Sequence, residues 1–318
     1  MKLRNIALAL AATLALSSLA ACTDTDQKLL FNDYWETNSL VASSSIDETL
    51  EYKVTHEKGG GLEAIDYTLT YGEGKYVTNL KTHSQGYIYT TSLTMPVTFQ
   101  YKDDEAVSVT DTVTTEVIFL RSKDSLRPIS STKKVVSHTP ANNSSGTTKS
   151  CYGEYDFSVV TTYPTEGKAT STITYNRPEG EPIVTTSTFT ASDKKYSYLD
   201  NEQLLLALRA ISSSTSSGSV KIYNPYVEAK QKINLSFSAE TGAEFSYLLN
   251  GESVKTNITY RPVTLVIDDR NPGGTQTAWI AKTTKADNNV YGNMMLKLSV
   301  PLSYNFGYLV YDLVSVTK

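Results

Sequence analysis

The stretch Val107-Ser-Val-Thr-Asp-Thr-Val-Thr-Thr-Glu-Val-Ile-Phe119 repeats its chemistry at every second residue. One parity carries the apolar residues Val107, Val109, Val113, Val117 and Phe119, and the other carries Ser108, Thr110, Thr112, Thr114 and Glu116. Successive side chains of a strand point to opposite faces, so this pattern predicts a strand with one buried face. Such strands are typical of antiparallel sheets.

The same alternation recurs on both sides of this stretch. It is found in Ile65–Tyr71, Phe157–Tyr163, Ile233–Phe237 and Met294–Val300. Turn-forming residues separate the runs, at Lys58–Gly61, Gly72–Gly74, Asn176–Gly180, Asn250-Gly251 and Asp269–Gly274. Asn-Gly between alternating strands is a strong hairpin signal. The predicted fold is therefore mainly β, an antiparallel meander of about fifteen or more strands that forms a curved sheet or an open barrel.

One principal helix is predicted near residues 200–211. Asp200-Asn-Glu-Gln203 reads as a capping box, and Leu204, Leu205, Leu208 and Ile211 follow at helical spacing. Arg209 would suit the negative end of the helix. The hydroxyl-rich run Ser212–Ser219 is predicted to be a linker or loop, and Thr139–Lys149 a second hydrophilic break.

The N-terminus reads as a secretion signal. A basic start, Met1–Arg4, precedes an apolar run, Ile6–Leu16, which is shorter than the roughly 20 residues of a membrane span. The segment then closes on Leu19-Ala20-Ala21-Cys22, which resembles the lipobox of bacterial lipoproteins. That resemblance implies cleavage before Cys22 and lipidation of its thiol; the alternative is an ordinary signal peptide with a chance cysteine.

These observations predict the organisation of the chain. Residues 1–21 are the signal peptide, 22–45 a lipid-anchored leader, and 46–318 a β-rich envelope domain with a possible subdivision near 139–150. We expect the protein to be held on a membrane of the cell envelope, outside the cytoplasm, at the cell surface or in the periplasm. Acyl chains supply that attachment, since each buried methylene contributes about 0.8 kcal/mol.

Composition narrows the function classes. The net charge is −4, and loss of residues 1–21 removes Lys2 and Arg4 but no acid, which disfavours a nucleic-acid partner. After Cys22 only Cys151 remains, so no intramolecular disulfide is expected. Tyrosines number 22, against 8 phenylalanines and 2 tryptophans. This balance suits exposed sheet surfaces and would also suit a groove that contacts a glycan or a lipid.

No motif predicts a catalytic, metal or cofactor site. Gly146–Ser150 lacks the glycines of a phosphate loop, and a catalytic Cys151 would need a positioned histidine. The remaining candidates are scattered in sequence and read as solvated or structural residues: His56, His83 and His138; the acids Asp103, Asp104, Glu105, Asp268 and Asp269 for calcium; and the turn carboxylates Glu179 and Glu181.

The helical stretch Asp200–Ile211, the later strand with Trp279 and the alternating C-terminal pair together resemble a broad, uncharacterised family of envelope β-proteins. Asp124–Ile129, before Lys133–Val136, is similar to a segment that those proteins carry upstream. The resemblance implies a curved sheet wrapped over a helix, and it implies no activity.

Two functions remain as hypotheses. The favoured one is a non-enzymatic envelope protein that binds a lipid, a glycan or a partner protein through its β-sheet. The alternative is a surface glycan hydrolase, which would need two carboxylates facing each other across a cleft. A hydrophobic interior cavity would favour a lipid, and an open groove lined by aromatic rings would favour a glycan.

Overall fold

Strands dominate the part of the chain that the structure describes. The computed structural model describes Leu29, Phe31 and residues 46–59, 67–101, 104–122, 125–143, 150–177, 180–193, 195–211, 215–267, 275–282, 293–302 and 306–318. The strands are β1 (Asp47–Lys58), β2 (Tyr67–Tyr71), β3 (Gly74–His83), β4 (Gly86–Tyr101), β5 (Val107–Ser122), β6 (Ser125–Asn143), β7 (Ser150–Thr162), β8 (Ala169–Asn176), β9 (Ile183–Phe189), β10 (Ser197–Tyr198), β11 (Ser217–Asn224), β12 (Ala229–Phe237), β13 (Thr241–Leu249), β14 (Glu252–Ile267), β15 (Gln276–Ala281), β16 (Met295–Pro301) and β17 (Gly307–Thr317).

The chain is an antiparallel meander in two runs. From β3 to β9 each strand pairs with the next, and β2 pairs with the second half of β4. From β13 to β17 the same rule holds. β1 joins the two runs because it pairs with β3 on one side and β17 on the other. The last residues of β14 pair with β12, and from β12 the sheet continues through β11 to the two-residue strand β10.

Five strands close into a ring. A short parallel pairing of β13 with β17 completes the circuit β13–β14–β15–β16–β17. The fold is thus a small closed barrel whose sheet continues into two wings, β1 and β3–β9 on one side and β12–β10 on the other. The predicted mainly β, antiparallel fold is confirmed.

A short helix lies against the inner face of this sheet. A 3-10 turn, Asn201–Gln203, leads into helix α1 (Leu204–Leu208), and Leu204, Leu206 and Leu208 are buried. Leu205 packs towards side chains from both runs, among them Leu93 of β4 and Leu298 of β16. The structure therefore has the predicted principal helix near 200–211, with a shorter regular part. No helix within the described ranges has the length and apolar character of a membrane span.

Three local expectations need correction. Gln203 does not reach back to cap the helix; its side chain donates instead to the carbonyl of Leu126 in β6. The run Ser212–Ser219 is not a loop to its end, because β11 begins at Ser217 and Ser219 is fully buried. The hydrophilic break predicted from Thr139 does not begin there, since β6 continues to Asn143 by pairing with β7.

Residues Val107–Phe119 lie in β5, and their burial largely follows the predicted alternation of buried and exposed side chains. Val113, Val117 and Phe119 are buried, whereas Val107 is 37 % exposed. The difference has a structural cause: β6 pairs with β5 only from Thr112 onward, so the first residues of β5 have a neighbour on one side alone.

Candidate functional site

The two ends of the long sheet meet through side chains rather than through a ladder of hydrogen bonds. Phe189, at the end of β9, stacks on Tyr223 of β11 with ring centroids 3.8 Å apart and planes at 8°. Tyr163 meets the same phenylalanine edge-on at 6.0 Å, and Tyr198 of β10 lies parallel to it at 6.3 Å. Together with Ala169 these rings form a small apolar cluster. We call this junction the seam.

A pocket opens at the seam. Its volume is about 400 Å³, within the range of small-molecule sites. Three chain segments build it: the start of β6, the connection from β7 to β8, and the connection from β9 into β10. The lining residues are Ser125, Arg127, Pro128, Tyr163, Pro164, Thr165, Gly167, Ala169, Thr190, Ala191, Ser192, Asp193, Tyr196, Ser197 and Tyr198.

A buried carboxylate holds Tyr163 in place. Asp200 Oδ2 accepts hydrogen bonds from the Tyr163 hydroxyl at 2.6 Å and from Ser131 Oγ at 2.5 Å, while Oδ1 accepts from the backbone N–H of Glu202 at 2.8 Å. Asp200 is therefore the helix N-cap, as predicted, and it also fixes one ring of the pocket from behind. Burial and the nearby Glu202 charge raise the pKa of Asp200, against the two hydroxyl bonds.

Tyr198 contributes a second ring with an unused polar group. Its hydroxyl is buried and has no hydrogen-bond partner among the described residues. Burial, together with the charge of Asp200, raises the pKa of this phenol, so it remains a donor at any physiological pH. Arg127 also lines the pocket, and its guanidinium donates a 3.2 Å hydrogen bond to the carbonyl of Pro164. The pocket thus combines aromatic rings with the Arg127 guanidinium and with hydroxyls such as those of Thr165 and Ser192, which is the chemistry that a polyhydroxylated ligand needs.

Three ammonium groups surround the third ring, Tyr196. The Nζ atoms of Lys221, Lys195 and Lys232 lie 5.0, 5.4 and 5.6 Å from its centroid. Asp193 accepts from the Lys221 ammonium at 3.0 Å and from two backbone N–H groups of this connection. Partial burial raises the pKa of Asp193, but these hydrogen bonds and the Lys221 charge outweigh burial and hold it below its ordinary value.

Leu29 and Phe31, the two described residues before β1, contact the fold beside the pocket and the helix. Leu29 is 2 % exposed, and its carbonyl accepts a 2.6 Å hydrogen bond from Ser197 Oγ, a group of the pocket wall. Phe31, also buried, forms an isolated bridge with Ile211 after the helix.

Two other concavities differ from the pocket in size and lining. The interior cavity between α1 and the sheet measures about 40 Å³, with Leu205 among its walls. A shallow hollow of about 430 Å³ lies on the outer face of β3–β6. It has no aromatic ring among its lining residues, which are Val77, Asn79, Thr90, Thr91, Ser92, Thr114, Thr115, Glu116, Thr132 and Lys134.

Most residues singled out by sequence do not form a site. Cys22 and its flank Leu19, Ala20 and Ala21 lie outside the described residues, as do Asp103, Glu179, Asp268, Asp269 and residues 146–149. The histidines serve separate contacts: His56 with the Phe306 carbonyl, His83 with the Gln85 N–H, and His138 with Asp111. Cys151 lies within β7. Asp104, Glu105 and Glu181 are exposed. Among described residues, no cluster of three possible metal ligands occurs.

Sequence reasoning missed the seam pocket. Its aromatic residues come from positions far apart in the chain, and only the short run Tyr196-Ser-Tyr198 gives a local signal. The preceding Asp193-Lys-Lys195 would have indicated a charged turn but not its neighbours on β11 and β12.

Comparisons with known proteins report no family. No family model matches the chain, and no curated protein matches it. Among solved structures, it is similar to a crystal structure of a β-barrel-like protein, a domain of unknown function from Brucella abortus. The TM-score is 0.47 at 10 % identity, over 85 % of this chain and 97 % of that one.

Proposed function

We propose that this chain is a membrane-anchored envelope lipoprotein that binds a saccharide in the seam pocket without transforming it. The observation that carries the proposal is the pocket itself, an open space of about 400 Å³ with Tyr163, Tyr196 and Tyr198 in its walls. Aromatic faces pack against the C–H faces of sugar rings, while hydroxyl and guanidinium donors bond to sugar oxygens.

Cavity size argues for a saccharide over a lipid. The interior cavity of about 40 Å³ has room for one or two water molecules and not for an acyl chain. Sheet-face binding is supported less well, because the outer hollow offers hydroxyls and charges without an apolar platform. Of the three ligand classes expected from sequence, the glycan fits the geometry best.

Hydrolysis has weaker support. Among the residues that line the pocket, Asp193 is the one carboxylate, and its oxygens already accept from Lys221 and from backbone N–H groups. Asp200 lies behind Tyr163 and is 3 % exposed. A glycosidase needs two carboxyl groups, about 5–10 Å apart, that both reach the substrate. The pocket therefore supports binding rather than turnover.

A lipid anchor at Cys22 would place the pocket near a membrane. Lipidation of Cys22 would leave seven residues before the docked Leu29, a reach of about 23 Å when fully extended. Because Ser197 both lines the pocket and holds Leu29, the pocket would lie close to the membrane surface. We propose that its ligand is a saccharide of the envelope itself or one brought to the surface.

The test is a glycan-array screen of the protein extracted from membranes, after mass measurement of its N-terminal peptide to detect acylated Cys22. Affinities of the hits are then measured for wild type, Thr165→Trp and Thr256→Trp. Thr165 is exposed and lines the pocket, so an indole there should fill it and lower affinity at least tenfold. Thr256, exposed on β14, is the matched control and should leave affinity unchanged.

Two results would contradict the proposal: no glycan bound by folded wild type, or equal binding by both tryptophan variants. Release of reducing sugar from a bound glycan would overturn the non-enzymatic part alone.

A further inference from the structure

A lysine, an asparagine and a glutamate meet where β6 faces the turn that leads into α1. Glu202 Oε1 accepts hydrogen bonds from Lys133 Nζ at 3.1 Å and from Asn201 Nδ2 at 2.8 Å. Because both nitrogens bond the same oxygen, they are at most about 6 Å apart. The group therefore combines an amine, a carboxamide and a carboxylate that touches both, which are the nucleophile, the acyl group and the proton carrier of an amide exchange.

This group is shielded from water. The Lys133 side chain is 3 % exposed and that of Glu202 is 10 % exposed. In the ladder, Lys133 lies between Thr115 of β5 and Val159 of β7, both of which are buried. An ammonium buried in this way carries a desolvation penalty, which a neutral amide would not carry.

Two further contacts fix the strand and the turn relative to each other. Ser131, two residues before Lys133 on β6, donates a hydrogen bond to Asp200 Oδ2 at 2.5 Å. The other oxygen of Asp200 accepts from the backbone N–H of Glu202 at 2.8 Å. The amine, the carboxamide and the carboxylate are thus positioned by neighbours that are not themselves part of the group, and such positioning lowers the barrier to a reaction between them.

We propose that the folded protein joins Lys133 to Asn201 by an isopeptide bond, with Glu202 as the proton carrier. The Lys133 ammonium passes a proton to Glu202, and the resulting amine attacks Asn201 Cγ to form the new C–N bond. Glu202 then protonates Nδ2, the bond from Cγ to Nδ2 breaks, and ammonia leaves. The extra proton on the new amide nitrogen passes through Glu202 to the departing ammonia, so one ammonium ion is released and nothing is oxidised or reduced.

The bond would tie β6 covalently to the turn before the helix. It would close a loop over residues 133–201, and closure of a long loop stabilises a fold by restricting the unfolded chain. Asp200, next to Asn201 in the chain, also holds the Tyr163 hydroxyl, so the bond would support one wall of the seam pocket. The inference does not depend on what the pocket binds.

The test is peptide mass spectrometry of the purified full chain. Wild type should give a branched tryptic peptide that joins the segments containing Lys133 and Asn201, lighter than their sum by one ammonia, with no cleavage after Lys133. Folded wild type in which both residues are found unmodified, in linear peptides, would overturn the proposal. A bond from Lys133 to Glu202, formed with loss of water, would overturn the assignment to Asn201.

Variants separate the bond from the ion pair. Asn201→Ala removes the acyl group and Glu202→Gln removes the proton carrier, so both should lack the branched peptide. Their thermal unfolding midpoints should fall by about 10 °C relative to wild type. Lys134→Arg changes the exposed neighbour on the other face of β6 and is the matched control, which should keep both the bond and the midpoint. A branched peptide at the wild-type level in Glu202→Gln would overturn the role of Glu202.

Discussion

At the scale of single residues, the interior is notable for its buried charges. Arg209 donates two hydrogen bonds, at 2.5 and 3.2 Å, to the carboxylate of Glu48 on β1. Lys318, the last residue, adds an ammonium at 3.3 Å from the same carboxylate. Burial raises the pKa of Glu48, but these two cations outweigh burial and hold that pKa below its ordinary value. The network ties the end of α1 to β1 and to the C-terminus, a role quite different from the helix-end role predicted for Arg209.

Asp111 is the other unusual buried acid. It occupies the apolar parity of β5 and is fully buried. Its Oδ1 accepts from the backbone N–H of His138 at 2.9 Å and lies 2.6 Å from that imidazole, while Oδ2 has no hydrogen-bond partner in the described part of the chain. The carboxylate therefore supplies the acceptor that β6 lacks where it separates from β5. Burial raises the pKa of Asp111 to about 6, although the bonds and charge of His138 oppose the rise.

This shift predicts a pH-dependent contribution to stability. The folded-state pKa lies above the unfolded value of 3.8, so between about pH 4 and 6 the folded protein binds more protons at this site. The contribution of Asp111 to the free energy of unfolding should therefore fall as pH rises through this window, by on the order of 3 kcal/mol at most. Asp111→Asn should lack that fall.

Chemical denaturation of wild type and Asp111→Asn from pH 4 to 7 measures the difference. Subtracting the two unfolding free energies at each pH cancels the contributions of groups common to both proteins. Glu48 is one such group, and its contribution has the opposite sign: its pKa is lowered in the folded state, so its stabilisation is lost in acid. Parallel curves for the two proteins would contradict a raised pKa at Asp111.

At the scale of elements, local sequence predicted the Asn250-Gly251 turn more accurately than it predicted the extent of the helix. Asn250 and Gly251 have φ values of +50° and +87°, the paired positive angles of the hairpin turn that Asn-Gly favours, and they join β13 to β14. The helix, by contrast, has only five regular residues, Leu204–Leu208, because its ends are occupied by tertiary contacts of Gln203 and Arg209.

Gly251→Ala should destabilise the protein by about 1–2 kcal/mol, since a Cβ disfavours the left-handed region. Gly242→Ala, within β13, is the matched control. Its backbone is not in that region, and a Cβ there would have Ile258 O at 3.9 Å as its nearest neighbour. It should be neutral or slightly stabilising, through loss of unfolded-state entropy. Thermal unfolding of both variants tests this, and an equal effect of the two would argue against the turn geometry.

At the scale of the whole molecule, two kinds of closure coexist. The ring β13–β17 is closed by backbone hydrogen bonds, whereas the seam between β9 and β10–β11 is closed by stacked rings. Among the residues that the structure describes, β9 pairs with β8 alone, and β10 with β11 alone. The seam is therefore the place where the sheet can open without breaking a ladder, and it is also where the pocket lies.

Phe189→Ala should loosen the seam selectively. Removal of this ring eliminates its stacks with Tyr223 and Tyr198, at a cost of about 3–5 kcal/mol for a buried phenylalanine. Amide hydrogen exchange should accelerate in β8–β10 and stay slow in β13–β17. Phe245→Ala, on β13, is the control and should not affect the seam. Uniform acceleration across the sheet would show that the seam is not a separate unit of stability.

The sequence by itself determined the strand class, the Asn250-Gly251 turn, the site of the helix and its Asp200 cap. Each of these depends on neighbours close in the chain: alternation in β5, Asn250-Gly251, and a carboxylate two residues before the amide that it caps. It also predicts the lipid anchor at Cys22, a motif read in one short segment.

Only the tertiary structure decided where the sheet closes and what the closure encloses. Tyr163, Phe189 and Tyr223 are separated by dozens of residues, and they become neighbours because curvature brings the sheet's ends together. The lysine group at Tyr196 likewise depends on the register of β11 with β12, and the pair of Arg209 with Glu48 joins residues far apart in the chain. The alternation of residues predicts which face of the sheet a side chain occupies. Its contacts in the folded protein depend on strand pairing and sheet curvature, and a binding pocket is built from such contacts.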